Sequence, residues 1–215
     1  MINTILIADD HCLSRIALNL LVKDIFGNTC VVDFAENGKQ VLDKLSSCQF
    51  NMLITDLNMP ETDCMGMLCK ALELVRDLKI LVVSVYNESI YAQRCLKVGA
   101  YGYLCKNESD DDFKNAIRTV GAGRRYYSFR QNDLFINSFL DGFSDNPFHK
   151  LSAREFEVAL LLLKGHGAIE VANVMDISPS TASTYRARVF NKLKVKNLME
   201  LNHLSSRFGI ADDFA

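Results

Sequence analysis

Between residues 4 and 121, short apolar runs alternate with segments of helical periodicity, and this constrains the fold more than any other feature of the chain. The runs are Thr4–Ala8, Cys30–Ala35, Asn51–Thr55, Ile80–Val83 and Tyr101–Leu104. Between them, Leu13, Ile16, Ala17, Leu20, Leu21 and Ile25 recur at helical spacing, as do Val41, Leu42 and Leu45, then Leu68, Leu72 and Val75. Ile90, Cys95, Leu96 and Val98 mark a fourth helix closed by Gly99, and Phe113, Ala116, Ile117 and Val120 a fifth closed by Gly121. Short runs that are largely apolar along their length predict strands buried on both faces, as in a parallel sheet covered by helices. Right-handed crossovers leave few topologies, and a doubly wound, flavodoxin-like α/β sheet of five strands is the economical one.

The ends of these strands carry the chemistry. The first ends at Asp9 and Asp10, the third at Asp56, the fourth at Ser84, and the fifth just before Lys106. In a parallel α/β sheet ligands bind at the carboxyl ends of the strands, so the topology brings all five residues to one edge. Carboxylates gathered there repel one another unless a cation neutralises them, and hard oxygen donors suit Mg²⁺. A hydroxyl and an ammonium beside them are what a phosphoryl group needs for its oxygens. A carboxylate can itself accept the phosphoryl group as an acyl phosphate.

The pattern changes after residue 123. Leu134, Phe135, Phe139 and Leu140 suggest a short amphipathic helix, and Asp141–Lys150 has the Gly, Pro, Asn and Asp of a linker. Residues 124–148 therefore read as a linker, with residues 211–215 as a tail. From 149 to 210 the periodicity is helical, over 152–164, 167–175, about 179–194 and 197–207. Ser178 suits an N-cap and Pro179 the first helical position. The segment after them is mostly polar or basic, with Ala182, Val189 and Leu193 left for its buried side. Two helices joined by a tight turn, the second polar and basic, fit a helix-turn-helix whose second helix enters the DNA major groove.

Charge divides the same way. Residues 1–147 hold 15 Lys/Arg against 19 Asp/Glu, and residues 148–207 hold 9 against 5. An acidic front and a basic back imply different partners for the two parts. No apolar run approaches the ~18 residues of a membrane span. The start has no basic region, and its first apolar run breaks at Asp9-Asp10, which argues against a signal peptide. The seven cysteines form no CxxC pair and have no His-x₃₋₅-His partner, so reduced, buried thiols and a cytoplasmic location are expected.

Asp9-Asp10, Asp56 followed by Asn58-Met59-Pro60, Ser84, and Tyr103-Leu104-Cys105-Lys106 give residues 1–123 a resemblance to the receiver domain of two-component response regulators. The resemblance implies Asp56 as phospho-acceptor, with Ser84 and Lys106 holding the phosphoryl oxygens. It implies Mg²⁺ bound by Asp10, Asp56 and the Asn58 carbonyl, with Asp9 assisting through water. Tyr103 stands at the aromatic switch. The implied protein is not a conventional enzyme, although such a domain catalyses its own Mg²⁺-dependent phosphoryl uptake and loss. Cys64 departs from the family's usual glycine, with Gly66 two residues on.

Residues 149–210 resemble the LuxR-type helix-turn-helix of the NarL/FixJ class. The matching residues are Leu151-Ser152, Arg154-Glu155, Glu157-Val158, Gly165, Glu170-Val171-Ala172, Ile177-Ser178, and Thr181 through Val195. The resemblance implies Ser183, Thr184, Ala187 and Arg188 at the bases, and Arg186, Lys192, Lys194 and Lys196 at phosphates. Leu198, Leu201 and Leu204 would cover the domain core, form a dimer contact, or do both. Gly167-Ala168-Ile169, Ala182 and Tyr185 depart from the commoner residues.

The two resemblances imply a transcription regulator phosphorylated on Asp56 by a partner histidine kinase. Its active form would be a homodimer on double-stranded DNA with paired half-sites, without membrane association. A DNA-binding regulator independent of phosphorylation remains the alternative, because Cys64 adjoins the acceptor loop. A haloacid-dehalogenase-like phosphotransferase would need an acid where Asn58 stands. An autoinducer-binding regulator would leave the acids unexplained and would lean on tryptophan, which the chain lacks.

Overall fold

The computed structural model describes residues 2–60, 62–86, 88–128 and 146–210. These fall into two compact units, one on each side of residues 129–145. The proposed helix at Leu134, Phe135, Phe139 and Leu140 and the tail 211–215 lie outside the described residues.

The first unit alternates as its apolar runs require. Its elements are β1 (Thr4–Ala8), α1 (Cys12–Phe26), β2 (Val31–Ala35), α2 (Gly38–Ser47), β3 (Met52–Thr55), α3 (Cys64–Leu74), β4 (Lys79–Ser84), α4 (Glu88–Val98), β5 (Gly102–Cys105) and α5 (Asp110–Gly121). The strands are all parallel, in the order β2-β1-β3-β4-β5. Successive strand residues point to opposite faces. Ile5, Ile7, Ile54, Leu81 and Val83 meet Val22 of α1 and Ala116, Ile117 and Val120 of α5 on one side. Leu6, Leu53 and Val82 are wholly buried at the alternate positions. Asn51 ties the strand starts together, its Oδ1 accepting from the Asn3 and Thr4 backbone N–H groups at 2.8 and 3.1 Å.

One expectation fails at β2, which is not buried on both faces. Val31 is 60% exposed, and Asp33 reaches out to the Lys44 ammonium at 2.6 Å. The reason is topological: β2 ends the strand order, so helices cover it incompletely. The cysteines also differ from expectation. All seven are free, but only Cys30, Cys64 and Cys95 are buried; Cys12, Cys48 and Cys69 are exposed.

Beyond α5, Tyr126 packs into the first core, and its N–H donates to the Tyr101 carbonyl at 2.8 Å. Gly102 permits that approach, since a Cβ there would meet the Tyr126 Cβ at 3.0 Å. The stretch read as a linker is therefore packed at its start. It is packed at its end too: a 3₁₀ turn (Pro147–Lys150) sets Phe148, fully buried, against Phe208 of the second unit.

The second unit contains α6 (Ala153–Leu163), α7 (Ala168–Met175), α8 (Pro179–Leu193) and α9 (Leu198–Arg207). Ser152 and Glu155 form a capping box at the start of α6. Asp176, in the left-handed region at φ 53°, ends α7, and Ser178 caps α8 two residues later by accepting from the Thr181 N–H at 3.1 Å. Phe156, Val158, Val171, Ala172, Ala182, Val189, Leu193 and Leu201 are buried within the unit. Among the described residues, no helix is long and apolar enough to cross a membrane.

Candidate functional site

The parallel ladder sets the strand-end residues. The Asp9 N–H donates to the Ala35 carbonyl at 3.1 Å, and the Asp56 N–H to the Ala8 carbonyl at 2.8 Å. Both acids thus stand one step beyond their strands, at the carboxyl edge. The Lys106 N–H donates to the Ser84 carbonyl at 2.8 Å, fixing those two residues side by side.

The side chains converge as the topology requires. Lys106 Nζ lies 2.7 Å from Asp9 Oδ2 and 2.7 Å from Asp56 Oδ2. Asp56 Oδ1 accepts from the Leu57 and Asn58 N–H groups at 2.6 and 3.1 Å, leaving its carboxylate held from both ends. Asp9 and Asp56 are buried, whereas Asp10 stands at the rim. Burial works against the Lys106 ammonium, but Asp56 and Asp9 outweigh it and hold its pKa above the ordinary lysine value. The thiol of Cys64, the first residue of α3, rests against the Leu57 carbonyl and leaves these contacts in place.

Two residues that the sequence reading passed over belong to this pocket. His11 Nδ1 lies 2.7 Å from Asp10 Oδ1, and Arg15 donates to the Asp9 carbonyl at 2.7 Å while pairing with Glu36. Their position just after the paired acids, at the start of α1, was the available signal. Asp9, Asp10 and His11 also bring three ligand atoms within 4.8 Å of one another. The charges of Asp9, Asp10, Asp56 and Lys106 sum to −2, and the donors around them are mostly hard oxygens. That set fits a divalent cation of the Mg²⁺ type.

Ser84 is fully buried at the end of β4, where its Oγ faces the Tyr86 N–H at 3.4 Å. Tyr103 is fully buried too, its phenol donating to the Tyr86 carbonyl at 2.8 Å.

A second surface lies on α8. Ser183, Thr184, Ala187 and Arg188 are exposed and share one face, opposite the buried Ala182, Val189 and Leu193. The two hydroxyls donate to their own helix, Ser183 to the Pro179 carbonyl at 3.0 Å and Thr184 to the Ser180 carbonyl at 2.9 Å. Arg186 lies over the Phe190 ring and Arg188 over the Tyr185 ring, at 5.2 and 5.8 Å from the centroids. Lys194 and Lys196 are exposed beyond the end of α8.

Lys192, also exposed near the end of α8, is paired with α6 of the same unit. Its ammonium lies 2.6 Å from Glu155 Oε2, which also accepts from the Ser152 N–H at 2.7 Å. Burial raises the Glu155 pKa, but Lys192 and Ser152 outweigh it and hold the carboxyl below its usual value. The α9 leucines separate as well. Leu201 is fully buried and belongs to the core, Leu204 is half-buried, and Leu198 is 41% exposed. Met199, which the leucine spacing did not single out, is 82% exposed beside Leu198.

Comparison with known proteins matches both units. The response regulator receiver domain matches residues 5–118, and the luxR family of bacterial regulatory proteins matches residues 149–205. The chain is 33% identical over 209 residues to the response regulator GacA of Pseudomonas aeruginosa, covering 97% of each chain. It is 30% identical over 213 residues to the response regulator UvrY of Escherichia coli, covering 99% of this chain and 97% of that one. Its fold is similar to that of RcsB from Salmonella enterica serovar Typhimurium, solved bound to the P1flhDC promoter in the presence of the phosphomimetic BeF3-. That match has a TM-score of 0.74 and 25% identity, and covers 96% of this chain and 100% of that one.

Proposed function

This chain belongs to the response regulators that carry a luxR-family regulatory domain, and on that premise we propose that it is a transcription regulator switched by phosphoryl transfer to Asp56. The phosphoryl donor is a partner histidine kinase, and the output is binding to double-stranded DNA. The observation that carries the reading is the Lys106 ammonium, 2.7 Å from both Asp9 and Asp56.

In this reading an Asp56 carboxylate oxygen attacks the phosphorus of the donor's phosphoryl group. The bond from phosphorus to the donor breaks as the acyl phosphate forms. The Leu57 and Asn58 N–H groups orient the carboxylate. The Lys106 ammonium pairs with one of the new phosphoryl oxygens, and the Ser84 hydroxyl donates to another of them. Asp10, Asp56 and the Asn58 carbonyl, with Asp9 beside them, are the residues that would hold Mg²⁺. When bound, the ion offsets the negative charge that builds at the phosphoryl oxygens. As Ser84 is drawn in, Tyr103 loses its present arrangement, and the receiver passes to a second conformation.

The luxR-family unit supplies the output. RcsB has been solved bound to promoter rprA and, in another structure, as two dimers bound to two parallel DNAs. By analogy, α8 enters the major groove here with Ser183, Thr184, Ala187 and Arg188 toward the bases. Arg186, Lys194 and Lys196 face phosphates. Lys192 acts indirectly by holding α8 on α6. Leu198, Leu204 and Met199 offer the surface for a second copy on paired half-sites, with Leu201 supporting them from the core.

The test is intact mass of the full chain after incubation with a small acyl-phosphate donor and Mg²⁺. One acid-stable, base-labile phosphoryl group is expected, and none in Asp56→Ala. An adduct that persists in Asp56→Ala would place the acceptor elsewhere. No adduct from either the small donor or a kinase would favour the regulator independent of phosphorylation.

A further inference from the structure

Tyr86 has no assigned part in the scheme above, yet it touches the pocket's surroundings at four points. Its phenol donates to Asn58 Oδ1 at 2.7 Å. Its N–H faces Ser84 Oγ at 3.4 Å, and its carbonyl accepts the Tyr103 phenol at 2.8 Å. Its ring stacks on Tyr91 of α4, with centroids 4.7 Å apart and planes at 24°. The side chain is 2% exposed, so solvent cannot readily replace these contacts.

We propose that Tyr86 is a positioning residue that passes divalent-cation occupancy of the acid pocket to Tyr103 before any phosphoryl group arrives. The proposal rests on the receiver reading of that pocket. Asn58 has two roles in the geometry. Its backbone carbonyl is the group that would hold the cation, while its side-chain amide is gripped by Tyr86. A shift of the Asn58 backbone toward an ion pulls on the amide that Tyr86 holds. A buried phenol left without its acceptor carries a large penalty, so Tyr86 follows rather than lets go.

The Tyr91 stack restrains the Tyr86 ring, and the displacement therefore reaches the Tyr86 backbone. There the carbonyl is the acceptor for Tyr103, whose phenol is itself wholly buried. Tyr103 must follow that carbonyl or exchange it for another partner, which favours two discrete arrangements over a graded one. Ser84 reaches the same tyrosine from the other side through the Tyr86 N–H. Cation and phosphoryl group thus act on Tyr103 through one shared residue.

The experiment uses the full chain labelled with 3-fluorotyrosine and read by fluorine-19 NMR, the Tyr103 signal being identified by its loss in Tyr103→Phe. Mg²⁺ is titrated alone, without a phosphoryl donor. The Asp9 and Asp10 amide signals report cation binding independently. Tyr86→Phe removes only the phenol hydroxyl and keeps both the stack and the carbonyl.

In the unmodified protein the Tyr103 signal should move on the same saturation curve as the Asp9 and Asp10 amides. In Tyr86→Phe the amides should still titrate, with affinity within ~3-fold, while the Tyr103 displacement shrinks at least ~2-fold. A purely structural role would leave that displacement unchanged in Tyr86→Phe, and this result overturns the proposal. So does a Tyr103 signal that stays still in the unmodified protein while the amides titrate. If the amides do not respond to Mg²⁺ at all, the receiver reading itself falls.

Discussion

The Lys106 ammonium donates to Asp56 at 2.7 Å, joining the end of β5 to the end of β3 across β4. It holds Asp9 at the same distance, so one positive charge restrains two buried carboxylates. With Asp10 at the rim, the pocket retains two units of negative charge.

Removing that ammonium should make the first unit depend on cations. Lys106→Met leaves Asp9 and Asp56 buried without a counter-charge, and losing one partner of a buried ionic set costs about 3 kcal/mol. Urea unfolding in the presence of a chelator should show a loss of that order, and Mg²⁺ should restore part of it. Equal stability with and without the substitution would mean that the ion pairs contribute nothing net.

The Glu155–Lys192 pair gives the second unit an acid-sensitive hold. Because the folded-state pKa of Glu155 lies below its unfolded value, the stabilisation is present above the unfolded value of about 4.3. It is lost as pH falls through the folded value. Thermal unfolding followed from pH 7 to pH 3 should show a steeper fall for the unmodified chain than for Glu155→Gln. Parallel curves would show that the pair does not set the acid limit.

Lys192 should behave differently from its neighbours on DNA. Lys194→Gln and Lys196→Gln should each reduce the slope of log affinity against log salt by about 0.9. Lys192→Gln should lower the stability of the unit and weaken binding without a comparable change in slope. A slope change equal to the other two would return Lys192 to the phosphate contacts.

Arg188→Ala should cost about 1–3 kcal/mol on a specific site and much less on unrelated DNA, because a base contact carries sequence information. Competition binding on the two sequences measures the difference. Equal losses would make Arg188 a backbone contact.

The acids and Lys106 of the pocket were legible in the sequence because each sits at a strand end, and strand ends are set by local pattern; His11 and Arg15, at the start of α1, were not. The five-strand order followed from the same runs. What could not be read locally was pairing over distance. Lys192 meets Glu155, 37 residues away, and a basic residue on a polar helix looks the same whether it faces DNA or a carboxylate. Tyr86 was missed because its value lies in contacts to Asn58 and Tyr103, on two other segments. Leu201 was grouped with Leu198 and Leu204 because three- and four-residue steps place all three near one face. Which of them the core claims depends on how α9 docks. Phe148 lay in a stretch whose Pro, Asn and Gly content reads as linker, although its ring is buried in the second unit.

The two margins of the sheet are closed by different means. On the β5 side, Tyr126 donates its N–H to Tyr101 and packs over Gly102, so the outer rung is occupied by the chain itself. On the β2 side, Asp33 and its Lys44 partner place charge on the outermost strand. A sheet closed in this way is a poor template for strand addition, which protects it from aggregation through its edges. A second copy, in the homodimer proposed above, would therefore meet this unit through its helices rather than through a backbone ladder.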